Sequence, residues 1–171
     1  DEAMLEMADS VKQYGVLVPG LVRPKADGGY EMVAGHRRKK ASELAGRETM
    51  PCIVRNLDDD EATIIMVDSN LQRESILPSE KAFAYKMKLE AMNRQGQRTD
   101  LTSGQVGQKL KGKYSVEILA DQMGESYKQI QRYVRLTYLL PSILEMVDEK
   151  RIAFNPAVEI SYLTENEQQD L

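Results

Sequence analysis

Gly35 is followed by His36, Arg37, Arg38, Lys39 and Lys40, and then by the helix-forming run Ala41-Ser42-Glu43-Leu44-Ala45. A glycine lets backbones approach closely. A helix that starts directly after one presents unbonded N–H groups and the positive end of its dipole. With guanidinium groups in the first turn, this is chemistry for holding a phosphate. The same run also reads as a solvated helix face, because a glycine ahead of a basic helix is not a specific signature. At about 100° per residue, Arg37 falls near Ala41 and Leu44, over the packed side of the helix. Arg38 falls just beyond, near Ala45, while Lys39 and Lys40 point away. An arginine aimed at the packed side favours the anion reading.

A second set of residues lies in SVEILADQMGESYKQIQRYVRLTYLLP, residues 115–141. Ala120, Gly124 and Ile130 carry the small–glycine–apolar spacing of a helix-turn-helix, and Ser126 is placed to cap the second helix. On that helix Tyr127, Ile130, Val134 and Tyr138 share one side. Lys128, Gln131, Arg132 and Arg135 gather on an arc of about 100°. Ser126 and Gln129 join them at the helix start. Such a face can enter a major groove, where arginine pairs with guanine and glutamine with adenine, and the remaining cations meet phosphates. A charged surface helix is the plain alternative; the upstream turn pattern favours double-stranded DNA.

These residues must be held by elements that the pattern outlines. Residues 2–14 read as an amphipathic helix closed by Gly15, with Met4, Leu5, Ala8 and Val11 on one face. Residues 16–22 form one strand or two short ones, broken by Pro19 and Gly20. Asp27-Gly28-Gly29 is a turn, residues 30–34 and 50–54 are strands, and Gly46 caps the helix over 36–45. Asp58-Asp59-Asp60-Glu61 opens a helix, and Pro78-Ser79-Glu80 opens another that runs to about Arg94. Residues 93–113 read as a mobile connection, with a short helix around 105–110. Helices follow at about 115–123, 126–139, 142–148 and 155–162, and 165–171 reads as an interrupted polar helix. Strands confined to the first third predict an α+β domain followed by an all-α domain.

The chain has 171 residues, 42% hydrophobic and 29% charged, with a net charge of -4. This is a globular balance, and an acidic total does not exclude a local basic face. The first residue is Asp1, so a fragment of a longer chain is expected. No apolar run is long enough to span a membrane. The one cysteine, Cys52, cannot pair within the chain and reads as a small core residue of an apolar strand, consistent with a reducing cytoplasm. The methionines, Met4, Met7, Met66 and Met87 among them, read as core filler. One histidine, His36, supports neither a zinc cluster nor a nucleophilic triad.

Three ordered stretches, together with the helix-turn-helix, resemble the ParB family of partition proteins. They are SVKQYGVLVPGLVRP (10–24), GHRRKKA (35–41) and SNLQRESILPSEKA (69–82). The resemblance implies a ParB/sulfiredoxin-like domain over 1–75 and a helix-turn-helix domain over 76–171. It implies binding of a centromere-like DNA site, and of CTP with Mg²⁺, by a homodimer that closes into a clamp, with a ParA-type ATPase as partner. The location implied is cytoplasmic, on the nucleoid or a plasmid. Gly15, Pro19 and Leu21 would line the cytosine pocket. Gly35, His36, Arg37 and Arg38 would cradle the triphosphate, Asn70 and Arg73 would close over it, and Asn70 would help hold Mg²⁺. The hinge would lie at Arg73-Glu74 and the helix from Pro78. His36 and Ser69 stand where the family box carries glutamates, and serine is a weaker ligand for a hard cation. Weak CTPase activity at most is therefore expected. Val18 stands where the family often has glutamine. Sulfiredoxin's reactive cysteine is replaced here by Gly35. A helix-turn-helix transcription regulator indifferent to nucleotide and a ParB-fold phosphotransferase are the alternatives.

Overall fold

The computed structural model describes residues 2–73, 75–99 and 108–171. The chain divides after Met66 into two compact units.

The first unit runs α1 (Glu2–Tyr14), β1 (Gly20–Pro24), β2 (Tyr30–Ala34), α2 (His36–Leu44), β3 (Cys52–Val54) and the first turns of α3 (Asp59–Leu71). The sheet order is β2-β1-β3, with β1 antiparallel to β2 and parallel to β3. β1 starts at Gly20 and not at residue 16, because Gly15 turns the chain at φ 78° and Pro19 has no N–H to donate. β3 likewise starts two residues later than expected, after Pro51, whose carbonyl accepts from Gly20 N–H at 3.0 Å. Gly28 and Gly29 make the β1–β2 turn at φ 94° and 77°, a region disfavoured for side chains with a Cβ.

Apolar residues at helical spacing bring α1 onto α2. Ala8, Val11 and Ala41 are buried together, with Met4, Met7, Val16 and Ala45 around them. Arg47 fastens the end of α1 by donating from Nε to Val11 O at 3.0 Å. α2 ends at Gly46 (φ 72°), where Gly46 N–H donates to Glu43 O and Arg47 N–H to Ser42 O, both at 3.0 Å. At the start of α3, Glu61 N–H donates to Asp58 Oδ1 at 2.8 Å and Asp58 N–H to Glu61 Oε2 at 2.9 Å, a reciprocal cap.

The second unit holds the end of α3 and α4 (Pro78–Thr99), α5 (Gln108–Met123), α6 (Tyr127–Leu136), α7 (Pro141–Asp148), α8 (Phe154–Ile160) and α9 (Glu165–Gln169). One core cluster gathers Tyr85, Leu89, Leu119, Ala120 and Ile130. Another gathers Ala82, Leu136, Leu139, Ile143, Leu144, Val147, Ala157 and Val158. Tyr133 borders both, edge-on to Tyr85 with ring centroids 5.7 Å apart.

Four expectations are corrected. The irregular connection over 93–113 is helical wherever it is described: α4 runs on to Thr99 and α5 already begins at Gln108. Residues 100–107, which include the first half of the expected short helix, lie outside the described residues, and its second half, 108–110, is the start of α5. Gly96 and the glutamines hide the helical period there, but a glycine costs only about 1 kcal/mol in a helix. Cys52 is exposed, because it sits on the edge strand β3, all three of whose residues face solvent. Met87 is exposed, unlike the partly buried Met4, Met7 and Met66. α9 is a continuous turn of helix, capped reciprocally by Thr164 and Glu167. Its buried Gln168 accepts from Leu140 N–H at 2.9 Å and donates to Tyr138 O and Leu163 O.

Burial pushes the Tyr85 phenol up to about 12. Next to it, burial alone would lower the Lys81 ammonium, but its bond to the Glu125 carboxylate, together with the charges of Tyr85, Tyr133 and Glu125, holds it above its ordinary value. A group whose folded pKa is raised stabilises the fold fully below its unfolded pKa and loses that contribution as pH rises. Denaturant melts should therefore show the second unit weakening as pH climbs from about 10 towards about 12. Tyr85→Phe should flatten part of that slope.

Candidate functional site

Gly35 stands at the junction of β2 and α2 with φ 108° and ψ 15°, and it caps α2 with no side-chain bond. The N–H groups of the first turn, from His36 to Arg38, therefore face outward without intrahelical partners. A Cβ on Gly35 would lie 3.0 Å from the Cα of Gly20. A Cβ on Gly20 would meet the movable end of Met50, Cε at 2.6 Å, and touch Ala34 O and Cys52 Sγ at 3.4 Å. Two glycines thus let the start of α2 press against the start of β1, and the corner is built of main chain.

The basic residues divide differently from the expectation. Arg37 is exposed and does not lie over the packed side, and Leu44, expected on that side, is 52% exposed. The buried face of α2 is Ala41 and Ser42, and Arg38, three and four residues earlier, shares it. Its Nη1 donates to the carbonyls of Val18 and Pro19, both at 2.6 Å. Arg38 thus pins the segment ahead of β1 to the corner. His36, Arg37, Lys39 and Lys40 are exposed, with Lys40 3.7 Å from Glu43. Around the corner Pro19 is exposed, Leu21 half-buried, and Gly15 lies 3.8 Å (from its ideal Cβ) from the Arg47 guanidinium.

Asn70 and Arg73 belong to the second unit, where Arg73 Nη2 donates to Asn70 Oδ1 at 2.9 Å. Both side chains are exposed. Asp68, the nearest carboxylate in sequence, accepts from the buried Lys88 at 2.5 Å. Glu74 lies outside the described residues.

In the second unit α5 ends at Gly124 (φ 64°), where Glu125 N–H donates to Ala120 O at 3.0 Å. Ser126 then caps α6 by accepting from Gln129 N–H at 3.1 Å. Ile130 is fully buried under Ala120, and that orients the rest of the helix. Lys128 and Gln131 are exposed, and Gln129, Arg132 and Arg135 are half-buried. Gln131 Nε2 donates to Tyr127 OH at 2.7 Å. Tyr138, expected on the apolar side, is 55% exposed. Arg132 bonds Asn155, and Arg135 bonds Ser161 and stacks near Tyr162. These partners lie 23 and 26 residues along the chain, with no local pattern linking them to α6.

Residues 1–71 match the ParB N-terminal domain. Over 152 residues the chain is 35% identical to the chromosome-partitioning protein Spo0J of Thermus thermophilus, covering 89% of this chain and 48% of that one. It is 38% identical over 149 residues to the stage 0 sporulation protein J of Bacillus subtilis, covering 87% and 45%. It therefore spans about half the length of these curated relatives. Among solved structures, the C-terminally truncated chromosome-partitioning protein ParB of Caulobacter crescentus, complexed to the centromeric parS site, aligns with a TM-score of 0.60 and 26% identity. That alignment covers 96% of this chain and 75% of the other.

Gly35→Ala should destabilise the first unit by about 1–3 kcal/mol, through both its left-handed φ and the close Gly20 backbone. Gly28→Ala carries the φ strain alone, with nothing within 4 Å of its Cβ. Denaturant melts of the two variants should differ by the contact at Gly35.

Proposed function

This chain belongs to the ParB family, and from that premise we propose that it is a chromosome-partitioning protein that binds a parS-like duplex through its second unit and CTP through its first. The observation that carries the reading is α6. Its apolar residue Ile130 is fully buried, and on the other side Lys128 and Gln131 are exposed and Arg132 and Arg135 half-buried. A helix so oriented, following a tight turn from α5, is a helix-turn-helix reader. Arg132, Gln131 and Arg135 would meet base edges or phosphates, and Ser126, Lys128 and Gln129 would anchor its start on the backbone.

The nucleotide reading is supported by the bare Gly35 corner, with its outward N–H groups and exposed Arg37. In it Gly35, His36, Arg37 and Arg38 cradle the triphosphate, Gly15, Pro19 and Leu21 line the base pocket, and Asn70 and Arg73 also contact the phosphates. Because Arg73 is the last of these nucleotide-contacting residues, we draw the functional boundary at 1–75 and 76–171, although the chain's compactness divides after Met66. Arg38 is already committed to Val18 and Pro19 and shapes the corner more than it offers charge.

The donor set does not fit a Mg²⁺ held by protein carboxylates. Among the described residues no group of three or more His, Cys, Asp or Glu could hold a metal ion. Asn70 Oδ1 accepts from Arg73, Asp68 accepts from Lys88, and Ser69 offers only a hydroxyl. Mg²⁺ would arrive as the counter-ion of the triphosphate with Asn70 as a neutral ligand, and no hydrolytic step is derived through it. CTP would act by closing two copies around DNA on the nucleoid, with a ParA-type ATPase as the partner of the assembly. Among the described residues no helix is long and apolar enough to cross a membrane.

Calorimetry with CTP, GTP, UTP and ATP, with and without Mg²⁺, should give binding of CTP alone. Binding of none of them would remove the nucleotide half of the proposal. Arg37→Ala should lower CTP affinity at least tenfold, about 1.4 kcal/mol, while parS affinity measured by fluorescence anisotropy stays within twofold. Arg132→Ala should weaken parS binding by about 1–3 kcal/mol and random-duplex binding by less. Equal losses on both duplexes would take base reading away from Arg132.

A further inference from the structure

Both arginines of the α6 face are gripped from the two ends of α8. At its start, Asn155 Oδ1 accepts from Arg132 Nη2, and the Arg132 guanidinium lies 5.4 Å from the Phe154 ring centroid. Just past its end, Ser161 accepts from Arg135 twice: Nε donates to Oγ at 3.1 Å and Nη2 to the carbonyl at 2.6 Å. Ser161 is 1% exposed, and its hydroxyl donates to Val158 O at 2.6 Å, so the core fixes this acceptor. The Arg135 guanidinium also stands 4.1 Å from the Tyr162 ring centroid and 4.7 Å from that of Tyr138, two exposed tyrosines.

The chemistry of these partners decides what the grip is for. Every one is neutral. Neutral acceptors hold a guanidinium in place without cancelling its charge, which stays available to an incoming anion. Arg135 keeps its charge uncompensated by a bonded acid. The two bonds to Ser161 also leave part of a guanidinium that carries five N–H donors. Lys128, Gln131, Arg132, Arg135, Tyr138 and Tyr162 face one concavity of about 540 Å³, whose lining holds three cations and no carboxylate. The arrangement is an anion seat whose cations are held in place before any anion arrives.

We infer that the flanks of α8 are a positioning device for the DNA-contacting arginines: Ser161 and Tyr162 pre-orient Arg135 for a phosphate, and Asn155 pre-orients Arg132. This rests on the DNA-binding reading of α6. Ordering a long side chain during association weakens binding, so a pre-ordered arginine binds more tightly than the same arginine left free, by about three- to tenfold. Tyr162 is a positioning residue, acting through Arg135.

The test uses the intact chain, a parS duplex and a random duplex of equal length, with affinities measured across a salt series. Tyr162→Ala should weaken parS binding about three- to tenfold with an unchanged salt slope, because Arg135 still reaches its phosphate. Tyr162→Phe keeps the ring and should restore affinity. Arg135→Ala should lower the salt slope by about one, and adding Tyr162→Ala to it should cost nothing more. Tyr162 is 66% exposed, so its removal should leave the thermal melt in place. Additive losses in the double variant, or an Arg135→Ala variant that binds like the parent, would overturn the inference and leave the DNA reading standing. A parent chain that does not prefer parS to the random duplex would bring down the DNA reading, and the inference with it.

Discussion

Ile130 lies under Ala120, shut in by Tyr85, Leu89 and Leu119. That contact sets the rotation of α6 about its own axis, and the rotation decides which side chains the surface receives. A turn of one residue, about 100°, would sink Gln129 or Gln131 where the isoleucine now sits, and a buried amide without hydrogen-bond partners costs about 1–3 kcal/mol. Ala120 must be small for the helices to approach, and Gly124 must adopt a positive φ for the chain to return at once. The cationic arc is thus a consequence of apolar packing on the opposite side. The Ser126 cap and the α5 end cap complete it by satisfying the backbone groups that the short turn would leave bare.

The first unit reaches a comparable end by other means. Its corner is defined by two glycines whose backbones touch, and the groups it presents are amide N–H donors at a helix start. The side chains around it are mostly loose: Arg37, Lys39 and Lys40 stand in solvent. Of the α2 cations Arg38 is the one held by the main chain, on the carbonyls of Val18 and Pro19. At the glycine corner Arg37 and Lys39 are therefore left in solvent, whereas on α6 Arg132 and Arg135 are held. The first arrangement suits a small ligand that folded side chains can wrap. The second suits a stiff duplex, whose phosphates come at set spacings.

What could be read from the sequence was what is local. The turn glycines, the Ser126 cap and the acidic start of α3 are each governed by neighbours within a few residues, and the structure has them where the pattern did. The errors fall where partners are distant. Arg37 and Arg38 exchange roles because Leu44 is the most apolar residue of α2, and nothing in α2 alone reveals that Ala41 and Ser42 are the residues buried there. Cys52 looked like core because β3 is apolar, but an edge strand with no layer over it stays wet. The polar composition of α9 concealed Gln168, whose amide serves three backbone groups from α6–α7 and its own approach. The grip on Arg132 and Arg135 had no signature at all, since it joins residues more than twenty positions apart.

The exposure of Cys52 has a practical side. It is the chain's one thiol, it faces solvent, and in the parallel pairing of β1 with β3 it stands opposite Gly20. Gly20 is the residue whose Cα abuts Gly35. A maleimide fluorophore or spin label would therefore attach at a single position, with no cysteine to remove first, one strand away from the glycine corner. Its emission or line shape would sense changes there as they happen.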